Sequence, residues 1–185
     1  MPDFQFPEFH GLPPFYTPQP VPKTREQQID LWSSLIISYC HHESIKIIDI
    51  ISFLDSPVCN NKTIERKMPQ SLLEKIITNL KEDGHAEWAD ESHSRAYIFY
   101  KSPAEWGVQI MKIIDDQGLL GEVVPIRRLM KLLSEENKEF EGCDEFIFFR
   151  SLKELEKKDK CFIMGKSQGI VTSVDEIMGV KFKLG

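Results

Sequence analysis

What the sequence lacks narrows its chemistry first. No stretch approaches the roughly 18 consecutive apolar residues of a membrane-spanning helix. The opening Met1-Pro2-Asp3-Phe4 has neither the basic region nor the apolar core of a secretory leader. The expected location is therefore cytoplasmic. Four cysteines, Cys40, Cys59, Cys143 and Cys161, lie far apart with no CxxC pair, a pattern of reduced thiols and not of a disulfide framework or a zinc site. Neither GxGxxG nor GxxxxGK[ST] is present to cradle a phosphate. His41-His42-Glu43 does not make a metal or acid-base cluster, because neighbouring helical residues point about 100° apart and no later histidine completes a site. Asp115-Asp116 and Glu135-Glu136 read as solvated carboxylates, and Cys143 has no histidine near it to act as a base. No enzymatic activity, cofactor or metal is expected. A net charge of −6 argues against a surface built to neutralise nucleic-acid phosphates.

Proline is abundant in one place only. Seven of the eleven prolines fall between Pro2 and Pro22, which sets residues 1–23 apart as an arm. Each ring fixes φ and removes a backbone donor, so such a segment tends to extended or polyproline II structure. The arm also carries Phe4, Phe6, Phe9, Phe15 and Tyr16, large aromatics that a spacer does not need. A stiff backbone bearing aromatics can dock in a partner's groove at small entropic cost. The other reading is a tail folded back on its own domain, in which case its deletion lowers thermal stability. Pro13-Pro14-Phe15-Tyr16 also fits the PPxY pattern read by WW domains.

The remaining residues follow one pattern twice. Ile29, Trp32, Leu35, Ile36, Tyr39 and Cys40 give an amphipathic helix from Thr24. Ser44–Phe53 reads as a β-branched strand, Asn60–Met68 as a brief helix, and Pro69 as the first residue of a helix with an apolar stripe from Leu72 to Leu80 and a stop at Gly84. Ala86–Ala89 and Ala96–Tyr100 form a hairpin around a polar loop. The order is that of a winged helix, predicted over residues 24–101. It recurs over 102–185: a helix capped by Ser102 and started by Pro103, a strand at Val123-Val124, a short helix through Ile126, Leu129 and Leu133, a third helix at 145–158, and a hairpin of Cys161–Met164 with Gly179–Leu184. An offset of 75 places Leu73 on Phe148 and Leu80 on Leu155. The predicted fold is α+β: two tandem winged helices behind an extended proline-rich arm.

Winged helices often bind DNA, and a DNA-binding transcription regulator is the alternative function. The third helices argue against it. One exposes Gln70, Glu74, Lys75, Asn79, Lys81 and Glu82; the other mixes Glu145, Glu154 and Glu156 with Arg150, Lys153 and Lys157. Neither is basic enough for groove binding. Phe146-Ile147-Phe148-Phe149 cannot all face one core, so Phe146 and Phe149 are candidates for an exposed contact, either with the neighbouring winged helix or with another protein.

The order LPPFYTPQP, TREQQIDLWSSLIISYC, RKMP, DGHAEW, SPAEWG and GVKF resembles the small winged-helix subunits of the endosomal sorting complex ESCRT-II over nearly the whole chain. The resemblance implies a non-catalytic adaptor of multivesicular-body sorting, present in two copies per complex and bound through its arm to the other two ESCRT-II subunit types. It implies that Pro13, Pro14, Phe15 and Tyr16 are the main partner-binding motif. Phe6, Pro7 and Phe9 would correspond to a second motif, although Phe6-Pro7-Glu8-Phe9 lacks the paired prolines and the tyrosine. It further implies recruitment of the first subunit of ESCRT-III through the second winged helix, and membrane attachment only indirectly, on endosomes, through the complex. The final loop, Gly165 to Met178, is longer than the family pattern.

Overall fold

A computed structural model describes residues 3–141 and 143–183; the expected positions Pro2 and Leu184 lie outside the described residues. The chain divides into two compact units, Met1–Tyr100 and Lys101–Gly185, each a winged helix.

The first unit opens with two 3-10 turns, Glu8–Gly11 and Pro13–Tyr16. Helix α1 spans Pro22–His42, starting two residues before Thr24 because a proline in the first helical turn gives up a donor that has no partner there. Strand β1 (Ile47–Asp49) leads into the single turn α2 (Ile50–Phe53), then the small hairpin β2 (Asn60–Asn61) and β3 (Arg66–Lys67), helix α3 (Gln70–Glu82), and strands β4 (Ala86–Trp88) and β5 (Arg95–Ile98). The sheet order is β1-β5-β4, antiparallel throughout. Trp32, Ile36, Leu72, Leu73, Ile76, Ile77 and Leu80 form the centre of one buried core.

Two local expectations are corrected. The strand expected over Ser44–Phe53 is only three residues long, because the Asp49 carboxylate accepts from the Ser52 amide at 2.9 Å and caps a helical turn that buries Ile50 and Phe53. The brief helix expected in Asn60–Met68 is a hairpin. Its turn holds Glu65 at φ +52, and the Asn61 side chain accepts from the Thr63 amide. Pro69 is the N-cap of α3 and not its first residue. Gly84 ends that helix at φ +80, where its amide and that of His85 reach the carbonyls of Lys81 and Leu80.

The second unit repeats the design. Ser102 and Glu105 form a reciprocal capping box at the start of α4 (Pro103–Asp116). Strand β6 (Val123–Pro125), α5 (Ile126–Glu136), a 3-10 turn (Lys138–Phe140), α6 (Glu145–Lys157), β7 (Cys161–Gly165) and β8 (Ile177–Phe182) follow. The sheet order β6-β8-β7 again puts the last strand in the middle. Leu73 and Phe148, and Leu80 and Leu155, are buried in their respective cores as the 75-residue offset requires. Gly107 lets α4 and α6 approach, since a Cβ there would lie 3.2 Å from the Leu155 side chain.

The expected extended arm is the main correction. Phe4, Phe9 and Phe15 pack against the core of the first unit, and Tyr16 is 2% exposed within it. The physical reason is that five aromatics among seven prolines carry too much apolar surface to leave in water once α1 offers a seat for them.

Candidate functional site

The seat is built by α1 and by the segment from Pro57 to Asn61. Trp32, fully buried, stands at the centre. Phe9 and Tyr16 meet it edge-on at ring-centroid distances of 5.4 and 5.3 Å, and Phe15 packs on Phe9 at 5.1 Å. Further up the arm, Phe6 stacks on His10 at 4.2 Å, and Phe4 meets Tyr39 edge-on at 5.3 Å.

Backbone in a proline-rich turn has carbonyls that no ladder satisfies, so the domain must supply donors. The Trp32 indole donates to the Phe15 carbonyl at 3.0 Å, and the Gln28 amide donates to the carbonyls of Phe15 and Thr17 at 2.7 and 2.9 Å. Gln28 in turn accepts from the Gln19 backbone N–H at 3.1 Å. The Tyr16 hydroxyl donates to the His10 carbonyl at 3.1 Å, and burial pushes its pKa up to about 12. Asn61 donates to the same carbonyl at 2.9 Å.

His10 is locked from both sides. Its Nε2 lies 3.2 and 3.1 Å from the carbonyls of Pro57 and Val58, so Nε2 carries the proton. Its Nδ1 faces the Asn61 amide nitrogen at 3.2 Å and accepts from it. Asn61 cannot turn over without losing both its bond to the His10 carbonyl and the one from the Thr63 amide. Burial accordingly holds the His10 pKa below its ordinary value.

The expected arm residues therefore divide. Tyr16 points inward as the anchor, and Phe9 and Phe15 are half-buried around Trp32. Pro13, Pro14, Phe6 and Pro7 are exposed, together with Leu12 at 49%. The result is an exposed proline ridge, Leu12-Pro13-Pro14, followed by the buried tyrosine. Sequence reasoning missed His10, Gln28 and Asn61. A signal existed for Gln28: it stands four residues before Trp32 on the apolar face of α1, where a buried polar side chain needs partners.

In the second unit the two phenylalanine candidates separate. Phe149 is buried in the core and is corrected as a surface contact. Its place on α6, one residue after the buried Phe148 and three before the buried Leu152, keeps it on the inner face. Phe146 is half-buried and lies under the Arg150 guanidinium at 5.0 Å.

Nothing in the site resembles catalytic machinery. Cys40, Cys59 and Cys161 are free thiols pushed up to about 12 by burial, which leaves them unreactive. Among the described residues no group of three or more His, Cys, Asp or Glu is placed to hold a metal ion, and no helix is long and apolar enough to cross a membrane.

Comparison with known proteins identifies the family and the fold. The family model for ESCRT-II complex subunits matches residues 9–144. The chain is 34% identical over 179 residues to vacuolar protein-sorting-associated protein 25 of Danio rerio, covering 97% of this chain and 98% of that protein. Against the proteins of the same name from Arabidopsis thaliana and Homo sapiens the identities are 33% and 31%, covering 97% of each relative and 98% and 97% of this chain. Among solved structures, subunit VPS25 of the endosomal trafficking complex ESCRT-II superposes with a TM-score of 0.66 at 24% identity, covering 96% of this chain and 99% of that one. A chain of the complex of VPS22, VPS25 and VPS36 superposes with a TM-score of 0.64 at 24% identity, covering 94% of this chain and 97% of that one.

Proposed function

The chain belongs to the family of ESCRT-II complex subunits, and on that premise we propose that it is an adaptor whose arm docks it to its two sister subunit types. The family is one of protein-sorting subunits and not of enzymes. The observation that carries the docking reading is the division within the arm: Tyr16 is buried while Leu12, Pro13 and Pro14 face solvent. A ridge of two prolines on a pinned backbone loses little freedom when an aromatic-lined groove closes on it. Phe15 adds a half-buried ring beside the ridge. Phe6, Pro7 and Phe9 stand one turn upstream, with Phe6 and Pro7 outward, and form a second, smaller contact in this reading.

The second winged helix recruits the first subunit of ESCRT-III, with Phe146 as part of the contact. Two copies per complex raise the effective concentration of what they recruit. The protein works in the cytoplasm and reaches endosomes through the complex, without nucleic acid.

Native mass spectrometry of the chain co-expressed with the other two ESCRT-II subunit types tests this reading. Two copies are expected in one assembly, and Phe146→Ser is expected to weaken capture of the first ESCRT-III subunit while leaving the assembly intact. Failure of the wild-type chain to assemble contradicts the docking reading.

A further inference from the structure

The sequence contains three pairs in which a hydroxyl residue precedes proline: Thr17-Pro18, Ser56-Pro57 and Ser102-Pro103. In such a pair the ring fixes φ and leaves no N–H after the hydroxyl residue. An enzyme that recognises it therefore needs an apolar slot for the ring and access to the oxygen. The fold leaves one of the three open. The Ser56 Oγ is buried. Ser102 is 6% exposed, and its hydroxyl is engaged in the capping box, accepting from the Glu105 N–H and donating to the Glu105 carboxylate at 2.9 Å. Thr17 is exposed, and its side chain has no hydrogen bond among the described residues.

The backbone at Thr17 suits a modifying enzyme. Thr17 ends the second 3-10 turn at φ −119 and ψ 134, an extended conformation. It is held there through its carbonyl, which accepts from the Gln28 side chain at 2.9 Å and from the Gln19 side chain at 3.3 Å. Tyr16 before it is buried and Pro18 after it is half-buried, so the hydroxyl is presented between two fixed neighbours. An acceptor already extended and ordered loses little freedom on entering an enzyme's cleft.

We infer that Thr17 is a phosphorylation site for a proline-directed protein kinase, and that its phosphate is an off-switch for docking of the arm. The kinase transfers the γ-phosphoryl group of ATP. A bond forms between Thr17 Oγ1 and the γ-phosphorus, the bond from that phosphorus to the bridging oxygen breaks, ADP leaves, and the hydroxyl proton passes by way of the kinase's carboxylate to solvent. The product carries a charge of about −1.5 to −2 at neutral pH. It stands three residues after Pro14, in a stretch from 9 to 22 that contains no Asp or Glu, so the apolar ridge gains a hydrated anion at its flank. A groove that closes on Pro13 and Pro14 then has to strip water from the phosphate or stay open. The switch rests on the docking reading above; acceptance of phosphate by Thr17 does not.

The test treats the folded full chain with ATP, Mg²⁺ and, in separate reactions, a mitogen-activated and a cyclin-dependent protein kinase, and maps phosphate by mass spectrometry. Phosphate is expected on Thr17 and not on Ser56 or Ser102. Thr17→Val, which keeps the backbone carbonyl bonded to Gln28, is expected to take none. Absence of phosphate at Thr17 with both kinases, or equal modification of Ser56 or Ser102, overturns the site. Treated and untreated chains are then melted and titrated calorimetrically with the sister ESCRT-II subunits. Equal melting temperatures are expected, with an affinity loss of about tenfold or more on treatment of the wild type and none on treatment of Thr17→Val. Equal affinity of the two wild-type forms overturns the switch, and a melting temperature lowered by phosphate overturns its mechanism, because the arm is then unseated and not merely charged. Failure of the untreated chain to bind is a separate result: it removes the docking reading and the switch with it, while the phosphate mapping still decides the site.

Discussion

Tyr16 donates its hydroxyl to the carbonyl of His10, six residues earlier and 3.1 Å away, inside the core of the first winged helix. That bond closes the loop between the two 3-10 turns and fixes which side of the arm meets solvent. Tyr16→Ala removes the ring from its place beside Trp32 and is expected to lower stability by about 3–5 kcal/mol. Tyr16→Phe keeps the ring and is expected to cost only about 1 kcal/mol. Denaturant titration distinguishes the two; equal effects would show that packing around Trp32 is not what holds the arm.

The buried tyrosine also governs who can read the PPxY pattern. A WW domain binds that pattern by receiving the tyrosine, which here is already committed to the protein's own core. An isolated WW domain is therefore expected to bind a synthetic peptide of residues 11–18 and to bind the folded chain far more weakly. Comparable affinities by calorimetry would mean that the arm leaves its seat readily.

His10 gives the arm a pH dependence with a defined sign. Its folded pKa lies below the unfolded value of about 6.5, so the unfolded state takes up the proton first. The stability contribution is complete above the unfolded pKa and is lost as pH falls through that value toward the folded one. The groups around the ring are Asn61, the carbonyls of Pro57 and Val58, the stacked Phe6, and the edges of Trp32 and the neutral Tyr16; none is an anion that would offset the added charge. Asp55, which shares the adjoining cavity, is paired with Lys67. Wild type is expected to lose more melting temperature between pH 7.5 and 5.5 than His10→Gln does. Equal losses would remove His10 from the account.

The comparison of sequence and structure is instructive at particular residues. Helical spacing gave the faces of α1 and α3 because their apolar residues recur at helical intervals, and the cap Ser102 and the first-turn Pro103 stand where the chain turns helical. The strand at Ser44–Phe53 was misread because Ile48, Ile50 and Phe53 fit alternation as well as a helical turn. Only the Asp49 cap decides between them. Phe149 was misassigned because four consecutive apolar residues conceal which one points outward. The arm was the largest error. Proline content predicts how the backbone bends, whereas its seat is made by Trp32, Gln28 and Asn61, which lie up to 51 residues further along the chain. One side of the arm packs on its own domain, as the folded-back reading has it, while Leu12, Pro13 and Pro14 are exposed, which is compatible with the proposed docking.

The most direct measurement is calorimetric titration of the sister ESCRT-II subunits with the wild-type chain and with the double variant Pro13→Ala, Pro14→Ala, after confirming that both melt alike. The prolines are exposed and Tyr16 remains seated, so nearly unchanged stability together with a loss of at least about tenfold in affinity is the expected result. Unchanged affinity in a variant of normal stability would contradict the claim that the proline ridge is what the partners grip.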